Sequence, residues 1–360
     1  MRDKTFLIMA GGTGGHVFPA LATAQKLLEQ KDKVVWLGSV GGMEEGLVKS
    51  AGIPFYGISV KGFRGKGFIN QLVAPLKIMY AVFQAFNVIL AVKPDAVLGM
   101  GGFASGPGGV AARVMGKPLL IHEQNAVAGL TNRLLSKVAT SIMTAFPGAF
   151  SEQVDVKLTG NPLREDICDL YYQPLKGVVK ARNVHLLILG GSLGAASLND
   201  NVPGAMGHLE ESIRPDIWHQ TGKGKDLQTS ESYKKLCVDA KVSAFIGDMA
   251  EAYAWADFVI CRAGALTISE LCTVGLGAIL IPFPFAVDDH QTRNAEMMTE
   301  EGAAWLLPQA DLNADSLAEI LKPLLIKQER ISILSKAAHK IAHPDATEKV
   351  VNECRRVCYA

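Results

Sequence analysis

Three glycine-rich stretches carry the clearest chemical signal in the chain. They are Ala10-Gly11-Gly12-Thr13-Gly14-Gly15 running into His16, Gly99-Met100-Gly101-Gly102 with Gly106-Pro107, and Gly190-Gly191-Ser192-Leu193-Gly194. Each follows a short apolar run, and the first and third open onto helical-period segments. A strand, a glycine turn and a helix start bring backbone N–H groups and the positive end of a helix dipole to one point, which suits a phosphate. The dinucleotide form of this device needs G-x-G-x-x-G and a carboxylate ending the next strand. Val17 stands where the last glycine would fall, and the next strands end in Trp36-Leu37-Gly38 and Gln220-Thr221-Gly222. No G-x-x-x-x-G-K-[ST] occurs either. NAD and P-loop chemistry are therefore disfavoured, and another phosphate-bearing ligand is expected.

Polar groups gather at the same strand ends. His16 and the run His122-Glu123-Gln124-Asn125 would share a cleft floor with the first two glycine stretches. Taken singly, each reads more simply as a strand end or helix cap; a histidine that is partly neutral near pH 7 can also accept a proton. In the second half, Phe245-Ile246-Gly247-Asp248-Met249, Cys261-Arg262-Ala263-Gly264-Ala265-Leu266-Thr267-Ile268-Ser269-Glu270 and the stretch Pro282 to Asn294 each leave a strand and enter a helix. Thr267-x-x-Glu270 reads equally as a capping box or as a carboxylate accepting from ribose hydroxyls while the amides near Ala265 to Thr267 face a diphosphate. The adjacent Asp288 and Asp289 would diverge at a helix start, where they complement the dipole, and no metal site is expected.

The elements that must position these residues alternate short apolar runs with helical segments, the pattern of parallel α/β sheets. Strands are expected near Thr5 to Met9, Val34 to Leu37, Ala96 to Leu98 and Leu119 to His122, with a helix over Val17 to Gln30. In the second half they are expected at His185 to Leu189, Asp216 to Gln220, Val242 to Ile246, Phe258 to Cys261, Ala278 to Ile281 and Ala304 to Leu306. The 360 residues, 49% hydrophobic, suffice for two domains. Gly11 and Gly190 each open one, with the linker at Leu158 to Pro162. Domains are accordingly expected over 1-160 and 161-342, with 343-360 a last helix, capped by Asp345, that packs back on the first. The net charge of +1 disfavours a nucleic-acid partner held by bulk electrostatics. Six cysteines without a C-x-x-C read as reduced, mostly buried thiols. The apolar run Phe6 to Ala10 is too short for a signal-peptide core, and polar interruptions between Phe68 and Val92 argue against a membrane span.

Taken together, Met9 to Ala20, His122-Glu123-Gln124-Asn125, Gly160-Asn161-Pro162-Leu163-Arg164, Gly190-Gly191-Ser192, Phe245 to Met249 and Arg262-Ala263-Gly264-Ala265 resemble the MurG family, N-acetylglucosaminyltransferases that make lipid II. The resemblance implies a GT-B architecture of two Rossmann-like, doubly wound domains facing across a cleft. It implies inverting transfer from UDP-N-acetylglucosamine to the 4-hydroxyl of a lipid-linked muramyl-pentapeptide, without a cofactor. The implied reaction needs a base, and His16 could serve as that base or as a donor to phosphate, with Glu123 the rival base. Carried over by motif, Ile246 would meet uracil through its backbone and Glu270 the ribose. Arg164, Ser192 and the turn Ala265, Leu266, Thr267, Ile268 and Ser269 would lie along the diphosphate, and Arg262 would stabilise the departing UDP. Gln291 and Asn294 would reach the sugar, and Thr13, Gly14, Gly15 and Asn125 would complete the donor pocket. Leu193 and Gly277 depart from the family's usual glutamine and proline. A UDP-N-acetylglucosamine epimerase of the same fold and a non-catalytic nucleotide-sugar sensor are the alternatives.

The average charge hides an asymmetry. Between Gly46 and Pro94 there is no acidic residue but six basic ones, Lys49, Lys61, Arg64, Lys66, Lys77 and Lys93, so this window is +6 and the rest of the chain −5. Phe63, Phe68, Leu72, Leu76, Met79, Tyr80, Phe83 and Phe86 share the window. This fits a core helix beside a solvated basic loop. With a polyprenyl acceptor implied, it fits better a surface for an anionic membrane, at the cytoplasmic face of the bacterial inner membrane beside other proteins of cell-wall synthesis.

Overall fold

The computed structural model describes residues 3–60, 68–175, 182–191 and 194–359, with the backbone alone for 68–74 and 287. The chain divides into two compact units, Met1–Arg164 with Asp345–Ala360, and Glu165–Pro344.

Unit 1 runs β1 (Thr5–Met9), α1 (Gly14–Glu29), β2 (Lys33–Ser39), α2 (Met43–Ser50), β3 (Phe55–Ile58), α3 (Phe68–Val92), β4 (Ala96–Gly99), α4 (Ser105–Val114), β5 (Leu119–Glu123), α5 (Leu130–Leu135), β6 (Ser141–Thr144) and β7 (Lys157–Leu158). All strand pairs are parallel, in the order β3-β2-β1-β4-β5-β6-β7. Side chains alternate across a strand, and β1 shows the consequence. Phe6 and Ile8 pack with Val17, Ala20, Ala24 and Leu27 of α1, whereas Leu7 and Met9 pack with Ala81, Ala85 and Ile89 of α3 and Ala111 of α4. A strand buried on both faces must be continuously apolar, which is why the sequence there lacks a polar stripe.

Unit 2 runs α6 (Glu165–Cys168), β8 (His185–Leu189), α7 (Ala196–Gly207), β9 (Asp216–Gln220), α8 (Asp226–Lys235), β10 (Lys241–Ser243), α9 (Met249–Trp255), β11 (Phe258–Cys261), α10 (Ala265–Val274), β12 (Gly277–Leu280), α11 (His290–Thr299), β13 (Ala304–Leu306), α12 (Ala314–Ile326) and α13 (Glu329–Lys340). Its parallel order, β10-β9-β8-β11-β12-β13, repeats the winding of the first six strands of unit 1. In each sheet the direction of winding reverses beside its first strand, between β1 and β4 and between β8 and β11. Ligands of open α/β sheets bind at the carboxyl ends of strands flanking such a point. The register pairs Met9 with Gly99 and Leu189 with Cys261, so each glycine turn leaves its sheet next to the loop after the neighbouring strand.

The last helix, α14 (Ala346–Arg356), belongs to unit 1. Val350, Val351 and Cys354 are buried in the core formed with α1. Its Glu353 accepts from Ser141 Oγ, from Lys157 Nζ at 2.7 Å and from Arg356, joining the helix to β6 and β7. Asp345 occupies the N-cap position but makes no capping bond; its carboxylate pairs with Lys349 at 3.0 Å instead.

Several expectations change. Leu158 ends edge strand β7, and Gly160 and Asn161 are held within unit 1, so the passage between units comes after Arg164. β10 stops at Ser243, which leaves Ile246 in the following loop. On length and composition alone, Pro75–Val92 would suffice to cross a membrane, and only 17% of it is buried. The isolated polar residues of α3 lower its hydropathy less than their spacing suggested. Cys261, Cys272 and Cys354 are buried and Cys168 and Cys358 partly so, while Cys237 is exposed.

Candidate active site

At the carboxyl edge of unit 1, two glycine loops meet. Gly102, at φ +82°, lies so close to Gly11 that a Cβ would strike the Gly11 backbone, and Gly101, at φ +89°, would place a Cβ 2.7 Å from Nδ1 of His16. Glycine is needed at both positions for conformation and for space. His16 sits in the first turn of α1, a turn that carries no acidic residue, after Thr13 at the N-cap and Gly14 and Gly15. Beneath the loop, the fully buried carboxylate of Glu44 accepts from Ser39 N at 2.9 Å and Gly12 N at 3.4 Å. Part of the loop is thus already neutralised by the protein's own anion, a feature that no glycine motif signals.

His16 Nδ1 lies 2.9 Å from Oε1 of Gln124. Gln124 Nε2 lies 3.2 Å from Nδ1 of His122, and His122 Nε2 lies 2.9 Å from the carbonyl of Gly160. Asn161 donates to the Gln124 carbonyl at 3.1 Å. Gln124 was legible only as part of the His122 to Asn125 run, and its role depends on a carbonyl 36 residues away in the chain, brought near by β7.

Glu123, the rival base, is 2% exposed and its carboxylate is encircled by donors. Oε1 accepts from Asn125 N at 3.0 Å and Asn125 Nδ2 at 3.2 Å, and Oε2 from Gly129 N at 3.1 Å and Asn132 Nδ2 at 2.8 Å. Four donors occupy the carboxylate's acceptor sites and give an incoming hydroxyl no lone pair to approach. The geometry makes Glu123 the pin of the loop that carries Asn125, while His16 at the same edge is half-buried.

In unit 2, Gly191 and Gly194 have φ of +79° and +70°, and a Cβ on Gly194 would collide with the Thr221 carbonyl. Ser192 and Leu193 lie outside the described residues. Across the winding reversal, Gly264 is the N-cap of α10, so Thr267 lies inside the first turn and no side chain caps it. The capping-box reading of Thr267 and Glu270 therefore fails: the helix starts earlier than that motif requires. Glu270 instead accepts from Tyr253 Oη at 2.8 Å while staying half-buried. Leu266 and Thr267 are half-buried, Ala265 and Ile268 are buried, and Ser269 donates to the Ala265 carbonyl at 3.0 Å. Ile268 is 0% exposed and is turned into the core.

Three further residues turn inward. Arg262 gives NH1 to the carbonyls of Ile281 and Pro282 and NH2 to Ser197 and Gln309, so it braces the loops after β11 and β12. Asn294 is fully buried and donates to the Ala263 carbonyl at 3.2 Å, locking the turn before α10. Gln291 is partly exposed, its oxygen taken by Phe283 N at 2.8 Å. Ile246 is 5% exposed, and Arg164 is half-buried at the end of unit 1. Asp288 and Asp289 both adopt left-handed backbone, φ 54° and 50°, and Asp289, at the N-cap of α11, accepts from Thr292 Oγ1 at 2.7 Å. A cavity of about 410 Å³ lined by Leu170, Arg182, Asp257 and Ser335 lies at the opposite, amino edge of this sheet and is also lined by Tyr253, the partner of Glu270.

Paired Rossmann-like units with such carboxyl edges define a class, and comparison with known proteins narrows it. Residues 6–144 match the glycosyltransferase family 28 N-terminal domain and residues 185–350 the glycosyltransferase family 28 C-terminal domain. Over 352 residues the chain is 50% identical to the UDP-N-acetylglucosamine--N-acetylmuramyl-(pentapeptide) pyrophosphoryl-undecaprenol N-acetylglucosamine transferase of Marinobacter nauticus, covering 98% of this chain and 97% of the relative. The Hahella chejuensis protein of the same name is 50% identical over 358 residues, with 99% of each covered. The crystal structure of Acinetobacter baumannii MurG superposes with a TM-score of 0.84 at 40% identity, covering 98% of this chain and 99% of that one. A UDP-N-acetylglucosamine 2-epimerase superposes with a TM-score of 0.66 at 12% identity, a likeness of fold alone. The chain belongs to the MurG family within glycosyltransferase family 28, and it is a GT-B glycosyltransferase.

Proposed function

We propose that the protein transfers N-acetylglucosamine, with inversion, from UDP-N-acetylglucosamine to the 4-hydroxyl of undecaprenyl-pyrophosphoryl-N-acetylmuramyl-pentapeptide, giving lipid II for peptidoglycan synthesis. The observation that carries this reading is half-identity over nearly the whole length to transferases so named. Epimerisation is not favoured, since the epimerase shares only the fold.

In unit 1, His16 takes the hydroxyl proton on its outer ring nitrogen as the acceptor oxygen attacks the anomeric carbon. General-base assistance of this kind contributes on the order of 10²–10⁴-fold. Asn125 and the turn Thr13 to Gly15 contribute polar contacts. In unit 2, the α10 start from Ala265 to Ser269 faces the diphosphate with amides and a helix dipole uncompensated by acidic residues, while Ser192 and Arg164 add contacts. Glu270 accepts from the ribose and Ile246 presents its backbone to the uracil. Arg262 and Asn294 act by holding loops, and Gln291 is the sugar-side amide. The donor loses its bond to UDP as the new glycosidic bond forms, and UDP leaves as the anion.

The protein works at the cytoplasmic membrane surface. α3 docks on α4 through the small stripe Ala81, Ala85 and Ile89, and turns Leu76, Met79, Tyr80 and Phe83 outward. Val110 and Val114 of α4 and Leu134 of α5 are exposed beside them. Lys77 and Lys93 are exposed in the same helix region, and Lys61, Arg64 and Lys66 lie outside the described residues. An apolar face of this extent with basic neighbours suits insertion among anionic headgroups. A helix held by its inner stripe lies on the bilayer instead of crossing it.

The test is incubation with UDP-N-acetylglucosamine, with and without the lipid-linked acceptor, following UDP and sugar products. UDP release that requires acceptor is expected. Acceptor-independent isomerisation would establish the epimerase, and absence of turnover the sensor.

A further inference from the structure

We propose that Gln124 and His122 form a directional hydrogen-bond chain, anchored on the Gly160 carbonyl, that fixes the proton of neutral His16 on Nδ1 and leaves Nε2 as the proton acceptor. This rests on His16 being the base of the transfer. Gln124 and His122 are then positioning residues, which act through His16 without touching substrate.

The direction follows from the first link. A carbonyl oxygen only accepts, so His122 Nε2, 2.9 Å from the Gly160 oxygen, carries a proton. His122 is fully buried, and burial lowers its pKa to about 4, against smaller raising effects of the Gly160 bond and Glu123 and a lowering one of His16. Near neutral pH the ring therefore holds one proton, and its Nδ1 is a lone pair. The Gln124 atom 3.2 Å away must be the amide nitrogen, which turns the amide oxygen toward His16. That oxygen only accepts, so His16 Nδ1, at 2.9 Å, is the donor.

The chain is built to stay in place. Gln124 is 1% exposed, its carbonyl is held by Asn161 at 3.1 Å, and Asn132 donates to the His122 carbonyl at 3.1 Å. Gly101 leaves just enough room for the His16 ring. Free histidine favours the opposite tautomer, with its proton on Nε2, so the chain imposes a form the ring would not choose. When the acceptor hydroxyl gives its proton to Nε2, Nδ1–H still faces the same oxygen, and no bond of the chain has to reverse. An amide does here what a carboxylate does in hydrolase triads, orienting a histidine, without adding a charge.

The test combines nitrogen-15 spectra of histidine-labelled protein, recorded at alkaline pH, with kinetics. His16 is expected as the Nδ1–H tautomer in the wild type and shifted toward Nε2–H in Gln124→Ala. In that variant kcat falls about tenfold or more, with the donor KM within about twofold. Gln124→Glu keeps an acceptor for Nδ1–H; it should recover kcat at high pH while the acidic limb of kcat/KM moves up by about one pH unit or more, because a carboxylate favours the imidazolium. Nε2–H His16 in the wild type, or a folded Gln124→Ala with unchanged tautomer and pH profile, overturns the proposal. The expected tautomer together with full activity of His16→Ala would support the chain and remove His16 from the role of base.

Discussion

Replacing Glu123 by glutamine separates a loop pin from a catalytic base. The wild-type carboxylate accepts four N–H groups, from Asn125 twice, Gly129 and Asn132, in a site only 2% exposed. Glutamine keeps one oxygen for two of these donors and sets its own NH2 against the other two. Hydrogen bonds to a charged group contribute about 1.5–3 kcal/mol each, and a buried donor left unpaired costs about 1–3 kcal/mol. Because neighbouring bonds do not add, a destabilisation of about 2–5 kcal/mol is the reasonable sum. For a unit of this size, one kcal/mol moves Tm by about 2–4 °C, so calorimetry should show the transition of unit 1 falling by about 5–15 °C. Transfer assayed well below that temperature should persist, with the Asn125 contacts weakened and the pH profile unmoved. A variant with wild-type Tm, no activity and no acidic limb in its pH profile would instead make Glu123 the base.

Other perturbations read other parts of the molecule. Gly101→Ala places a Cβ against the His16 ring in left-handed backbone; kcat should drop about 10–100-fold, since small misplacements of a reacting group are expensive, with donor KM little changed. Glu270→Ala should raise the donor KM about tenfold or more through lost charged hydrogen bonds, whereas Tyr253→Phe, which removes the 2.8 Å bond to Glu270 and keeps the carboxylate, should stay within about threefold. Glu353 has its pKa lowered to about 2, mainly by the Arg356 bond, then by Lys157 and Ser141. Its contribution is present above pH 4.5 and fades as pH falls toward 2, where folded and unfolded states bind the same proton. With Lys157 and Arg356 44% and 54% exposed, about 1–2 kcal/mol is expected, visible as a flatter acid-unfolding profile in Glu353→Gln. Exchanging Met79 and Phe83 for serine should weaken binding to anionic vesicles about tenfold while far-ultraviolet circular dichroism stays unchanged.

The strands of the central sheet regions were legible because burial on both faces leaves continuous apolar runs such as Phe6 to Met9 and Leu186 to Leu189. β3, β6 and β7 were not. Phe55-Tyr56-Gly57-Ile58 is short, half exposed and interrupted by glycine, and β7 is two exposed residues at an edge. The glycine turns were legible as turns, but not the reasons for each glycine, which lie in other segments: the His16 ring for Gly101, the Gly11 backbone for Gly102. Arg262 and Asn294 have the residue types of ligand-binding groups, and local spacing cannot tell an outward side chain from one folded onto the carbonyls of Ile281 or Ala263. Thr267 and Glu270 have capping-box spacing, yet the helix boundary is set three residues earlier by the turn at Gly264.

Inverting transfer of N-acetylglucosamine to a muramyl 4-hydroxyl leaves its mark in the linkage of the product. Nuclear magnetic resonance of the sugar released from the lipid-linked product should show a β-1,4 bond formed from the α-linked donor, with one UDP for each bond. An α-linked product, a different hydroxyl, or UDP released without any new glycosidic bond would contradict it.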